Sequence, residues 1–173
     1  MRRLRLALTT AMLAAMLVGG FQLTDPIPAR AGSQSDIAGP PGSEGFGTDA
    51  KVLANGNFVI GDPLYDSPTA TDVGAVYLYD GATHQLISML TGATAGDSIG
   101  LSGIYEVGDS NVVVLSPFWS NPVGPITHAG AITWIDGSSG LGGTVTVANS
   151  LVGSTTADGV GTRIAKLLSL IHI

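Results

Sequence analysis

Apolar residues in this chain come in short runs, each closed by a turn residue. Residues 50–53 and 58–61 flank Asn55-Gly56. Asn-Gly between two apolar runs is the strongest short-range hairpin signal, because the tight turn needs positive φ at both central positions. Residues 73–79 follow, dense in the β-branched and aromatic side chains that suit a pleated surface. An Asp80-Gly81 turn then leads to residues 85–90. The same order returns at 104–107, 112–116, 129–135 and 144–148, with Trp134 in the third run where the first round has Leu78. The pattern predicts two successive sets of four short antiparallel strands.

Recurring turns fix the period. Glu44-Gly45-Phe46-Gly47, Asp97-Ser98-Ile99-Gly100 and Asp158-Gly159-Val160-Gly161 share the order acid, small, apolar, glycine, and Gly47, Gly100 and Gly161 lie 53 and 61 residues apart. Between them Asn57 answers Asn111 and Asp62-Pro63 answers Ser116-Pro117, both at an offset of 54. Gly74 answers Gly130, and Asp80-Gly81 answers Asp136-Gly137, at 56; Gly92-Ala93-Thr94 answers Gly153-Ser154-Thr155 at 61. The offset grows only where loops can absorb insertions, which marks a true repeat. The glycines are expected to close a turn that needs positive φ or a close backbone approach.

Four strands in such a unit is the size of a β-propeller blade. A parallel β-helix is the competing reading, but its rungs are shorter and the hairpin turns call for antiparallel pairing. The expected organisation is a linker at 32–41, a first repeat at 42–89, a second at 90–150 and the start of a third at 151–164. The tail at 165–173 abandons the pattern. It reads as foreign sequence ending a truncated array, with a genuine apolar strand as the alternative. Two blades cannot close a ring of 4 to 8. The expected fold is therefore all-β: tandem four-stranded antiparallel repeats, blades of an incomplete ring.

Residues 1–31 read as a signal peptide. Arg2, Arg3 and Arg5 precede an apolar stretch from Leu6 to Gly20, and Ala29-Arg30-Ala31 fits the small-x-small cleavage rule. The stretch is shorter than the ~20 residues a spanning helix needs, so export to the cell surface or medium is expected, with no membrane span after cleavage. Cleavage after Ala31 removes four of 7 basic residues and one of 13 acids, leaving 3 − 12 = −9. A surface this acidic repels phosphate backbones, which argues against nucleic acid as a partner. With no cysteine, the exported chain must rely on core packing rather than a disulfide framework.

Phe46-Gly47 followed by Val59-Ile60-Gly61-Asp62-Pro63 resembles the FG-GAP blade of integrin-type propellers, with Gly-Asp-Pro in place of Gly-Ala-Pro. The second unit departs further, with Leu115-Ser116-Pro117. The stretches 130–134 and 149–154 are similar to repeats of large bacterial haemagglutinin-like surface proteins. The resemblance spans about 42–164 and implies a surface repeat protein used in adhesion, meeting a surface protein or glycan.

Candidate chemistry is sparse. Gly96-Asp97-Ser98-Ile99-Gly100 invites a serine-nucleophile reading, but Gly45 and Gly159 replace Ser98 in the equivalent turns, and a nucleophile needs its base and orienting acid. Gly45-Phe46-Gly47-Thr48-Asp49-Ala50 loosely fits a dinucleotide fingerprint, yet a hairpin follows where the motif needs a helix. No cofactor is expected. FG-GAP blades hold calcium in acidic loops, and the weak candidates here are Asp62, Asp66 and Asp72 of the first unit. The tight hairpins offer too few of the 6–8 oxygens calcium prefers. His84, His128 and His172 are not spaced as ligand pairs. Tyr65, Phe118 and Trp119 follow the two Pro turns in loops of variable length, 64–72 and 118–128, and aromatics there are candidate binding residues. The expected function is a non-catalytic adhesion or binding module. The alternative is a secreted propeller hydrolase whose active site lies outside this sequence, since fold alone does not choose.

Overall fold

A computed structural model describes residues 34–164. The proposed signal peptide, the first two linker residues and the tail at 165–173 lie outside the described residues. Every strand of the described residues belongs to the compact unit Asp36–Ile173. The described residues contain strands and turns and no helix.

Two meandering sheets follow one another. The first is built from β1 (Asp49–Val52), β2 (Phe58–Asp62), β3 (Ala75–Tyr79) and β4 (Leu86–Thr91), paired antiparallel in chain order. The second repeats the plan with β5 (Ile104–Val107), β6 (Asn111–Ser116) and β7 (Ala131–Ile135). Its fourth strand is β9 (Ser150–Val152), not the predicted 144–148. The physical reason is the insertion before it. Ala75 pairs with Thr91 and Ala131 pairs with Val152, so the offset has already reached 61 when the strand begins. The inserted segment supplies β8 (Gly143–Thr144), which runs parallel to β4 as a fifth strand of the first sheet.

Alternation along each strand sends its apolar residues to two faces. One face of the first sheet, carrying Val59, Val76, Leu78 and Leu90, packs against Ile104, Val112, Val114, Ala131 and Ile135 of the second in one buried cluster. Each fully buried aliphatic side chain there contributes about 1.5–3 kcal/mol. The other face of the first sheet, with Ile60, Ala75, Tyr77 and Tyr79, forms a separate cluster covered by Ile37, Phe46 and Tyr65. That face is aromatic: Phe58 stacks on Tyr79 at 5.3 Å, and Phe46 meets Tyr77 edge-on at 5.4 Å. The fold is thus all-β, two tandem four-stranded antiparallel units stacked face to face.

Candidate functional site

Most polar side chains that recur between the units are bound to backbone. The N–H of Gly81 donates to Asn57 Oδ1, and that of Gly137 to Asn111 Oδ1, each at 3.2 Å. A Cβ on either glycine would strike a carbonyl, that of Gly56 or of Ser110. The preceding aspartates close the same turn. Asp80 Oδ1 accepts from the N–H groups of Ala82 and Thr83, and Asp136 Oδ1 from those of Ser138 and Ser139. These bonds hold both carboxyls below the usual aspartate range. Asp97 Oδ2 accepts from Ala93 and Thr94, and Asp158 Oδ2 from Ser154 and Thr155. Burial pushes the Asp97 carboxyl up, against the pull of those bonds and of a third from the Ser120 N–H. The sequence marked these positions only by their identity at a fixed offset; what they grip becomes visible with the fold.

The turn closed by the recurring glycines is architectural in the same way. Gly47, Gly100 and Gly161 have φ of 88°, 84° and 90°. Ser98 has φ 46° and is buried. Its neighbour Gly100 donates its N–H to Ser116 Oγ at 3.1 Å, and Gly45 donates its own to Asp62 Oδ1 at 2.8 Å. Asp62 and Ser116, equivalent in the repeat, therefore both tie the second strand to this turn, and both are fully buried.

The three acids proposed for calcium are distributed differently from a ligand set. Asp62 is buried with Oδ1 on Gly45, whereas Asp66 Oδ1 accepts the Asp72 N–H at 2.7 Å. Among the described residues no group of three or more His, Asp or Glu side chains is arranged to hold a metal. Asp62 Oδ2 is buried without a hydrogen-bond partner, and burial pushes the Tyr77 hydroxyl well above the ordinary tyrosine value, against the pull of the Ser43 hydroxyl. His84 packs on Phe58 and His128 on Phe118; His172 lies outside the described residues.

The loop aromatics split. Trp119 is fully buried in the cluster between the sheets, so its side chain cannot meet a partner. Tyr65, its counterpart, turns inward against Tyr77 at 6.4 Å. Phe118 points out and is 44% exposed, beside His128 at 5.3 Å. Leu64 occupies the equivalent place in the first unit and is 42% exposed. In each Pro turn the first residue after proline faces solvent and the second enters the core. Sequence reasoning missed Leu64; the signal was its offset of 54 from Phe118. The longer loop is ordered by a bridge between Asn121 and Ile126 and by the His128 N–H bond to Ser120 Oγ at 3.1 Å. Its tip presents Val123, 77% exposed.

A family model described as "Repeat of unknown function (DUF5650)" matches residues 52–101 and again 106–162, so the chain belongs to that family. The matched stretches end just past Gly100 and Gly161, a different phase of the same period. No curated protein matches the chain.

Proposed function

We propose that this chain is a non-catalytic binding module of an exported, surface-exposed repeat protein, and that partners meet the loop edge carrying Leu64 and Phe118. The observation that carries the reading is the division of labour among side chains. Recurring polar residues are bound to backbone, while a large apolar residue is held outward at the same place in both units. Exposed apolar side chains on pre-organised loops are what recognition surfaces use. The finer reading treats each unit as a propeller blade of the FG-GAP kind. The chain-order meander of four strands and the face-to-face stacking of successive sheets support it. The charged n-region, the apolar stretch and Ala29-Arg30-Ala31 support export. The expected partner is a surface protein or glycan, with neither nucleic acid nor a cofactor required.

The test is capture on an array of purified cell-surface glycans and ectodomains. Phe118→Ala and Leu64→Ala should each lower capture about tenfold, the ~1.4 kcal/mol of one lost apolar anchor, with an unchanged melting temperature. Capture insensitive to both substitutions would reject this edge as the binding surface.

A further inference from the structure

The repeat makes an internal comparison possible between faces of the two sheets. On the first sheet, Val59 pairs with Leu78, and Gly61, Val76 and Leu90 form the next row. This face is buried by the second sheet. The equivalent positions on the second sheet are Val113 with Trp134, and Leu115 with Ile132 and Leu151. Tyr105 extends the first of these rows on the edge strand. Leu115 is covered, but the outer part of this face is open to solvent: Tyr105 is 43% exposed, Trp134 52% and Leu151 69%. An apolar patch across four strands is unusual on a surface.

We infer that this face is the docking surface for a further unit of the same repeat, joined next in the polypeptide and seated as the second unit sits on the first. Three observations select that occupant. Ile99, the apolar residue of the turn leading into the second unit, is fully buried in the cluster between the sheets. Val160 holds the same place in the third turn, half-buried and bridged to Gly130, its N–H bonded to Ala129 as that of Ile99 is to Val73. The chain leaving the second unit therefore already runs along the path that introduces the next one. Asn57 gives the second observation. Its Oδ1 holds Gly81 of its own unit while its Nδ2 donates to the Gly137 carbonyl of the next at 2.8 Å. Asn111 makes the first of these bonds with Gly137, and among the described residues its Nδ2 makes none. The third excludes a second copy stacking head to tail. The complementary face of the first unit is covered by the chain's own Ile37, Phe46 and Tyr65, and that of the second unit is buried inside.

Fluorescence reads the face directly, because the chain has two tryptophans and Trp119 is buried. The intact chain is compared with one continued after Ile164 by a copy of residues 104–162, which keeps the 61-residue register, with phenylalanine at both tryptophan positions of the copy. Acrylamide should quench Trp134 freely in the intact chain and at least fivefold less in the extended one. A second extended chain, whose copy carries aspartate in place of Val114 and Ile135, should restore the intact chain's quenching. Trp134 equally quenched in the intact and extended chains would overturn the inference, including where the added unit stays unfolded, since docking is what should fold it. Protection of Trp134 in the intact chain that rises with concentration alongside a dimer mass would also overturn it, in favour of a second copy. Neither failure touches the loop-edge reading, whose array assay uses other residues.

Discussion

Left-handed backbone is where single residues matter most in this chain. Among the described residues six non-glycine residues have positive φ: Asp72, His84, Ser98, Ser110, His128 and Ala157. Each has a left-handed counterpart in another unit, glycine in four cases: Gly140 for His84, Gly159 for Ser98, Gly56 for Ser110 and Gly96 for Ala157, although Gly45, the first-unit counterpart of Ser98, is not left-handed. The turn geometry is thus a property of the repeat, and each of those four side chains is tolerated strain. Ser98 and Gly100 separate this architecture from chemistry. Ser98→Gly should stabilise the chain by about 0.5–1 kcal/mol by removing the Cβ from a left-handed position. Ser98→Ala should be close to neutral, since alanine keeps the Cβ. Gly100→Val should cost about 1–3 kcal/mol, because φ is 84° and even a Cβ would lie 3.2 Å from Val76 Cγ2. Urea titrations of the three variants check the order. A Ser98→Ala variant as damaged as Gly100→Val would show that the hydroxyl, not the backbone, matters.

At the scale of elements, the five-residue insertion before the last strand of the second unit has a structural use. β4 would otherwise end the first sheet as an open edge, and unpaired edges invite association. The insertion returns across it: β8 pairs parallel with Leu90 and Thr91, the Val145 N–H donates to the Thr91 carbonyl at 2.9 Å, and the Leu141 N–H donates to Ser88 Oγ at 3.2 Å. Val145 is buried in the shared core. Deleting residues 141–145 should leave both four-stranded sheets intact by circular dichroism yet shift the chain to higher mass in sedimentation. A monomeric deletion variant would mean that the β4 edge needs no cover. This element also shows where the sequence stopped being legible. The strands β1 to β7 lie within two residues of their expected bounds, because hairpin turns and β-branched runs are local signals. The last strand was misplaced because Thr144, Val145 and Val147 form a better local strand than Ser150-Leu151-Val152. Pairing with Ala131 and Thr133, seventeen to twenty-one residues earlier, decided instead. The fate of Tyr65, Phe118 and Trp119 was illegible for a related reason. Burial after a Pro turn depends on which neighbour faces the sheet, and only the offset between Leu64 and Phe118 hinted at it.

For the molecule as a whole, the shared core decides how it unfolds. Repeat arrays can melt unit by unit when the interfaces between units are weak. Here the interface is the main core: Leu53, Val59, Leu78 and Leu90 from the first unit interlock with Val112, Val114, Trp119 and Ile135 from the second. Polar ties cross the same boundary, with the Ile104 N–H on Asp49 Oδ2 at 2.8 Å and Asn55 Nδ2 on the Gly137 carbonyl at 2.9 Å. Neither sheet keeps that buried face without the other, so the two should unfold in one transition. Leu78→Ala, which truncates a fully buried side chain at the centre of this interface, should cost about 2–5 kcal/mol and lower that single transition for both units together. Far-UV circular dichroism reports all strands, whereas the buried Trp119 belongs to the second unit. Coincident curves from the two signals, displaced equally by Leu78→Ala, are the expected result. A tryptophan transition left in place while the ellipticity transition moved would show that the second unit stands without the first. The interface would then be a contact between independent units rather than the core of one.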